Sequence, residues 1–168
     1  MNLCIMCKNV LLILSIVFCC ISCDKHTEKE LISNFVEDVF DDKINPQQVI
    51  DTYIELSKDP KNIDFDKERK ELITKVILDA REGKGNNWFI PNSKIREIQD
   101  LKIHKYSDVK HLDTLRLPIK KTDEECVFAI LNKEEDEILE YFMVTKDKTR
   151  IRYFTLFVKD DSAWFFEF

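Results

Sequence analysis

Two glycines and four prolines in 168 residues leave few positions for irregular backbone. The glycines stand together in Gly83-Lys-Gly-Asn-Asn87, without the spacing or the following helix of a phosphate-cradling loop, so a helix C-cap and turn is read there. Cysteine is scarce where it would matter. The chain has six, but five lie at or before Cys23 and Cys126 stands alone beyond it. No disulfide can therefore form within residues 24–168, and that part must be held together by packing. A basic patch is missing too: 26 Lys and Arg face 32 Asp and Glu, the formal net charge is −6, and the two signs intermingle. That pattern is a solvated surface and not a phosphate-backbone binder, so no nucleic acid is expected as a partner. Beyond residue 23 no apolar run approaches the roughly 20 residues of a membrane-spanning helix.

What is present is one apolar run, Val10-Leu-Leu-Ile-Leu-Ser-Ile-Val-Phe-Cys-Cys-Ile-Ser-Cys23, which stops at Asp24-Lys-His-Thr-Glu-Lys-Glu30. About 14 such positions suit the core of a secretory signal and are too few for a spanning helix. Lys8 before the run and small Ser22 before Cys23 resemble the signal peptide and lipobox of a bacterial lipoprotein. Phe18 and Cys19 fit a signal peptidase poorly at the positions preceding the rival sites, Cys19 and Cys20. Cys20 stands where lipoboxes usually carry Leu, and the uncharged opening Met1-Asn-Leu-Cys-Ile5 leaves Met6 as an alternative start. The resemblance implies export, cleavage before Cys23, acyl chains such as palmitate on Cys23, and a place in the bacterial cell envelope. Under the enteric sorting rule Asp24 would mean the inner membrane. That rule does not hold in all bacteria, and the outer membrane is preferred here because acidic residues follow the anchor. Losing Lys8 with residues 1–22 takes the net charge from −6 to −7. The expected organisation is a signal peptide over 1–22, a lipidated tether over 23–32 and a single domain over 33–168.

Within the domain the hydrophobic period is first helical. Phe35, Val36, Val39 and Phe40 predict a first helix. Asn45-Pro-Gln-Gln48 supplies an N-cap, a proline at the first helical position and a capping-box glutamine for a second, carried by Val49, Ile50, Tyr53 and Ile54. Asp64 or Asp66 can cap a third helix with Leu72, Ile73, Val76, Ile77 and Ala80 as its stripe and Arg81 in its last turn. From Ile90 the period becomes that of strands: 101–106, 126–131, 138–144, 151–158 and 163–168, joined by turns too short for anything but antiparallel neighbours. In 151–158 apolar residues fall on both faces, with Ile151, Tyr153 and Phe157 on one and Phe154, Leu156 and Val158 on the other. Helices can cover one face; the second must curl round a cavity or meet a partner. A homodimer through Tyr153, Phe157 and Trp164 is the expectation.

The fold class read from this order is α+β, N-terminal helices packed on a curved antiparallel sheet. Helices, a loop with Trp88-Phe89, a bent sheet and the ending Tyr153-Phe…Phe157-Val-Lys-Asp-Asp-Ser-Ala-Trp-Phe165 resemble the nuclear transport factor 2-like (cystatin-like) superfamily. The resemblance implies a cone-shaped domain. The superfamily includes isomerases, dehydratases and hydrolases with an Asp or His in the cone, and members with no catalysis, so fold does not become activity. His104 and His111 flank a turn and could pair as ligands, but no third ligand stands at metal spacing, and surface histidines are the reading. Cys126 opens an apolar strand and reads as a buried structural thiol. The acidic runs 123–125 and 134–137 lack calcium-loop spacing and read as solvated turns. No catalytic, metal or cofactor residue is assigned; lipidation at Cys23 is the one site. The expected role is a non-catalytic envelope domain binding a protein partner or a small apolar ligand. The rival is a small enzyme with His104, Tyr106 or a pocket acid as general base.

Overall fold

The computed structural model describes residues 27–56, 63–84, 93–96, 98–159 and 162–167; residues 1–26, with Cys23, and Trp88-Phe89 lie outside them. Helix α1 (Glu28–Phe40) starts from a full capping box: Thr27 Oγ1 accepts from Glu30 N, and the Glu30 carboxylate accepts from Thr27 N at 2.8 Å. Leu31 and Ile32 are already buried in it. The expected tether is corrected here, because residues 28–32 belong to the folded domain. Helix α2 (Pro46–Tyr53) is capped by Asn45, whose side chain accepts from Gln47 N and not from the residue the capping-box pattern singles out. Helix α3 (Ile63–Arg81) begins before both aspartates proposed as its cap. Its inner stripe is Ile73, Ile77 and Ala80, whereas Leu72 faces solvent at 45% exposure. The helix ends as expected at Gly83, which takes φ +68° while Lys84 N closes back on Asp79 O at 2.8 Å. A short turn of helix, α4 (Ser93–Arg96), follows.

Arg81 ties the helices together. Its guanidinium donates to Val39 O at 2.6 Å, Ile44 O at 2.9 Å and Asp38 O at 3.0 Å, so it caps the C-terminal carbonyls of α1 and the loop after it. Tyr53 adds a bond from its hydroxyl to Asp38 Oδ2 at 2.7 Å.

Strands β1 (Lys102–Lys105), β2 (Val127–Leu131), β3 (Ile138–Val144) and β4 (Ile151–Tyr153) form an antiparallel meander in the order β1-β2-β3-β4. All of β2 is buried, as its unbroken apolar run requires. The turn after β2 is closed by Asn132, whose carbonyl oxygen accepts from Asp136 N and Glu137 N. The turn after β3 is closed by Thr145 N bonding Arg150 O at 2.9 Å. The expected single strand over 151–158 is broken at Phe154-Thr155. Strands β5 (Leu156–Lys159) and β6 (Ser162–Phe165) make a separate two-stranded sheet. The expected alternation fails there, because Phe154, Thr155 and Leu156 are all buried in succession while the chain changes sheets.

Both faces of the meander are covered by the chain itself. On one, Phe35 of α1 meets Phe142 at 6.1 Å and Phe154 at 5.3 Å between ring centroids. On the other, the β1–β2 connection folds back: a helical turn α5 (Tyr106–Val109) and a 3-10 turn bring Val109 and Leu112 over Ala129 and Leu131. The architecture is α+β.

Candidate functional site

The β1–β2 connection is pinned by one carboxylate. Asp113 Oδ2 accepts from Tyr106 Oη at 2.7 Å and Leu117 N at 2.9 Å, and Oδ1 from Tyr141 Oη at 2.8 Å and Leu115 N at 2.9 Å. Burial pushes its carboxyl up, but the two hydroxyls and two amides outweigh that and hold it below the ordinary range. The same contact, with burial as the larger cause, pushes both tyrosine hydroxyls up. Tyr106, expected on a strand as a candidate base, opens α5 instead and is 1% exposed. A hydroxyl held in its protonated form and donating to Asp113 is a structural donor, not a base.

Glu140 is the second unforeseen acid. It lies on β3 opposite Ile130 at 4% exposure, beside an irregularity in the register, and accepts a bond from Tyr141 N at 3.1 Å. Burial pushes its carboxyl up to about 8, only partly offset by that amide.

Of the two described histidines, His104 lines a concavity. An open groove of about 420 Å³ separates the first turns of α1, with Lys29 and Ser33, from residues 101–104. His104 Nε2 stands 3.2 Å from Glu135 Oε2 at its rim, and Glu135 sits on the β2–β3 turn with φ +58°. His111 lies apart, exposed, in the 3-10 turn Lys110–Leu112. The two histidines are therefore not brought together. Among the described residues no group of three or more His, Cys, Asp or Glu could hold a metal ion.

Cys126 is a buried free thiol, as expected, but it closes the 3-10 turn Glu124–Cys126 and the strand begins one residue later at Val127. Of the acidic runs, Glu124 pairs with Lys110 at 3.0 Å and Glu125 with Lys105 at 3.4 Å, both on the surface, where such pairs contribute little. The aromatic ending is divided: Tyr153 stacks on Phe165 at 5.6 Å, and Phe157 packs against Trp164 at 5.0 Å. What stays open there is Trp164 at 43% and Val158 at 38%. No family model, curated protein or solved structure matches this chain.

Proposed function

We propose that this chain is a bacterial lipoprotein, held to the envelope by acyl chains on Cys23, whose domain binds a partner protein without catalysis. The observation that carries the reading is the spacing of anchor and fold: Thr27, the N-cap of α1, is four residues after Cys23. Four extended residues reach about 14 Å, so the domain would stand close against the lipid surface. The partner reading is supported by what the described residues leave open: the Trp164 side of the β5–β6 hairpin and the outer edge of β1. Two of the domain's buried or half-buried acids, Asp113 and Glu140, serve the interior. A small apolar ligand at the hairpin is the alternative occupant, and a second copy there would give the dimer.

Within the same reading the domain is a divergent nuclear transport factor 2-like cone. Helices α1 to α3 before an antiparallel meander support it, as does the bend at Phe154-Thr155 that turns the last hairpin out of the sheet.

Labelled fatty acid tests the anchor. Wild-type protein should incorporate the label, while Cys23→Ser should give an unlabelled, larger precursor, since the sulfur that accepts the diacylglycerol is gone. Labelling of the Cys23→Ser protein would move the site to Cys19 or Cys20. Photo-cross-linking residues scanned over β1 and the β5–β6 hairpin in intact cells test the partner. A discrete protein adduct from one of these surfaces is expected, and none from either removes the partner reading.

A further inference from the structure

We propose that the outer edge of β1 receives an extended acidic segment of a partner protein, which adds a strand to the sheet in the groove beside α1. This deepens the partner-binding reading above and rests on it. The sheet order leaves two edges, β1 and β4. The β4 edge is already in use: Ile54 bridges Ile151, and Glu55 N donates to Ile151 O at 2.9 Å. Among the described residues β1 has no such neighbour on its outer side.

The groove follows that edge. Its sheet-side wall is four consecutive residues, 101–104. Leu101 precedes β1; consecutive side chains on a strand point to opposite faces, so a hollow touching Lys102, Ile103 and His104 follows the strand's backbone between the faces. That is the geometry of strand addition, in which main-chain bonds supply affinity and flanking side chains supply choice.

The flanking charges choose the occupant. Lys29 on α1 and Lys102 on β1 border the groove, and neither has an ion-pair partner among the described residues. Lys105 is held by Glu125 and His104 by Glu135. The groove's two acids are both engaged: Glu30 bonds back to Thr27 N, and Glu135 faces His104. Two free ammonium groups beside unpaired backbone select an incoming strand that carries carboxylates. They also select against a second copy. Antiparallel self-pairing centred on β1 would set Lys102 opposite Lys105 of the other chain, and parallel pairing would stack Lys beside Lys, both unfavourable.

The test uses full-length protein in detergent micelles and an eight-residue peptide alternating valine and glutamate. Amide exchange at residues 102–105 should slow at least tenfold on saturation. Lys29→Glu combined with Lys102→Glu should weaken binding at least tenfold. The fold should survive, since an acid in the first turn of α1 suits the helix dipole, Lys29 is exposed and Lys102 is only half-buried. The same peptide N-methylated on alternate amides cannot pair and should not bind, and a valine–lysine peptide should fail as well. Unchanged exchange in β1, equal binding by the methylated peptide, or unchanged affinity after the double charge reversal would each overturn the proposal. So would concentration-dependent protection of β1 without peptide, which would put a second copy on the edge. Cellular adducts from the hairpin alone, with none from β1, would remove the edge and leave the partner reading standing.

Discussion

Glu140 and Asp113 are both buried carboxyls, and their surroundings drive them in opposite directions. Asp113 is surrounded by donors and held below the ordinary range; Glu140 accepts from one amide, is buried, and is held well above it. Between the ordinary value of 4.5 and about 8, the folded state keeps a proton on Glu140 that the unfolded chain has lost. Stability then falls as pH rises across that window, by about 1.4 kcal/mol per pH unit at most, and levels off above it. Asp113 acts the other way, its contribution lost only as pH drops through its lowered value. The clean reading is therefore a difference. Urea unfolding of wild type and Glu140→Gln from pH 5 to 9 should diverge, the variant gaining relative stability as pH rises and the gap levelling off near pH 8. Parallel curves would mean that Glu140 is ionised in the fold. Asp113→Asn should cost about 2–5 kcal/mol, because an amide NH2 would face two of the four donors and strand them. Adding Tyr141→Phe to Asp113→Asn should cost less than Tyr141→Phe alone, and full additivity would deny that the two act as a unit.

At the scale of elements, α1 depends on its first residue. Thr27→Ala removes the oxygen that accepts from Glu30 N and should cost about 1 kcal/mol, with faster amide exchange over the first turn of α1 and little change elsewhere. An unchanged melting temperature would mean that packing of Leu31 and Ile32 alone sets where the helix starts. The Thr-x-x-Glu signature is in the sequence, but it sits in a charged, apolar-free stretch whose composition is that of a tether. The strands were the most legible part. Runs 126–131 and 138–144 are apolar on both faces because both faces are covered, and the structure places β2 and β3 there. The cover on the second face was not legible. It is the chain's own 106–126 connection, held by contacts between residues 7 and 28 positions apart, Tyr106 with Asp113 and Asp113 with Tyr141. Periodicity reports which residues want burial, not what buries them. The break between β4 and β5 was equally silent, since no Gly or Pro marks Phe154-Thr155 and three buried residues in a row read as one strand.

For the whole molecule, the proposed anchor and the fold together set an orientation. Glu28 opens α1 and forms an ion pair with Lys148, so the β3–β4 turn lies at the end of the domain where the chain enters. Lys105 and Glu125, paired with each other, belong to the same end, since Lys105 also acts on the Glu28 carboxyl. The β2–β3 turn lies at the far end of β3, although its Glu135 side chain reaches back to His104 and the groove beside Lys29. Seven strand residues at about 3.3 Å each separate the two turns by roughly 23 Å, more than the tether's reach. The near end carries Lys146 and Lys148, with Asp147 between them and Glu28 paired to Lys148. In vesicles containing headgroup spin-labelled lipid, lipidated protein should therefore show stronger broadening of amides at 146–150 than at 132–137. A flexible insert of about 20 residues between Cys23 and Thr27 should erase the contrast, because its root-mean-square reach, about 25 Å, exceeds the separation of the turns. Equal broadening at both turns without the insert would show that four residues do not orient the domain, and the reason given for its standing close to the membrane would fail with it.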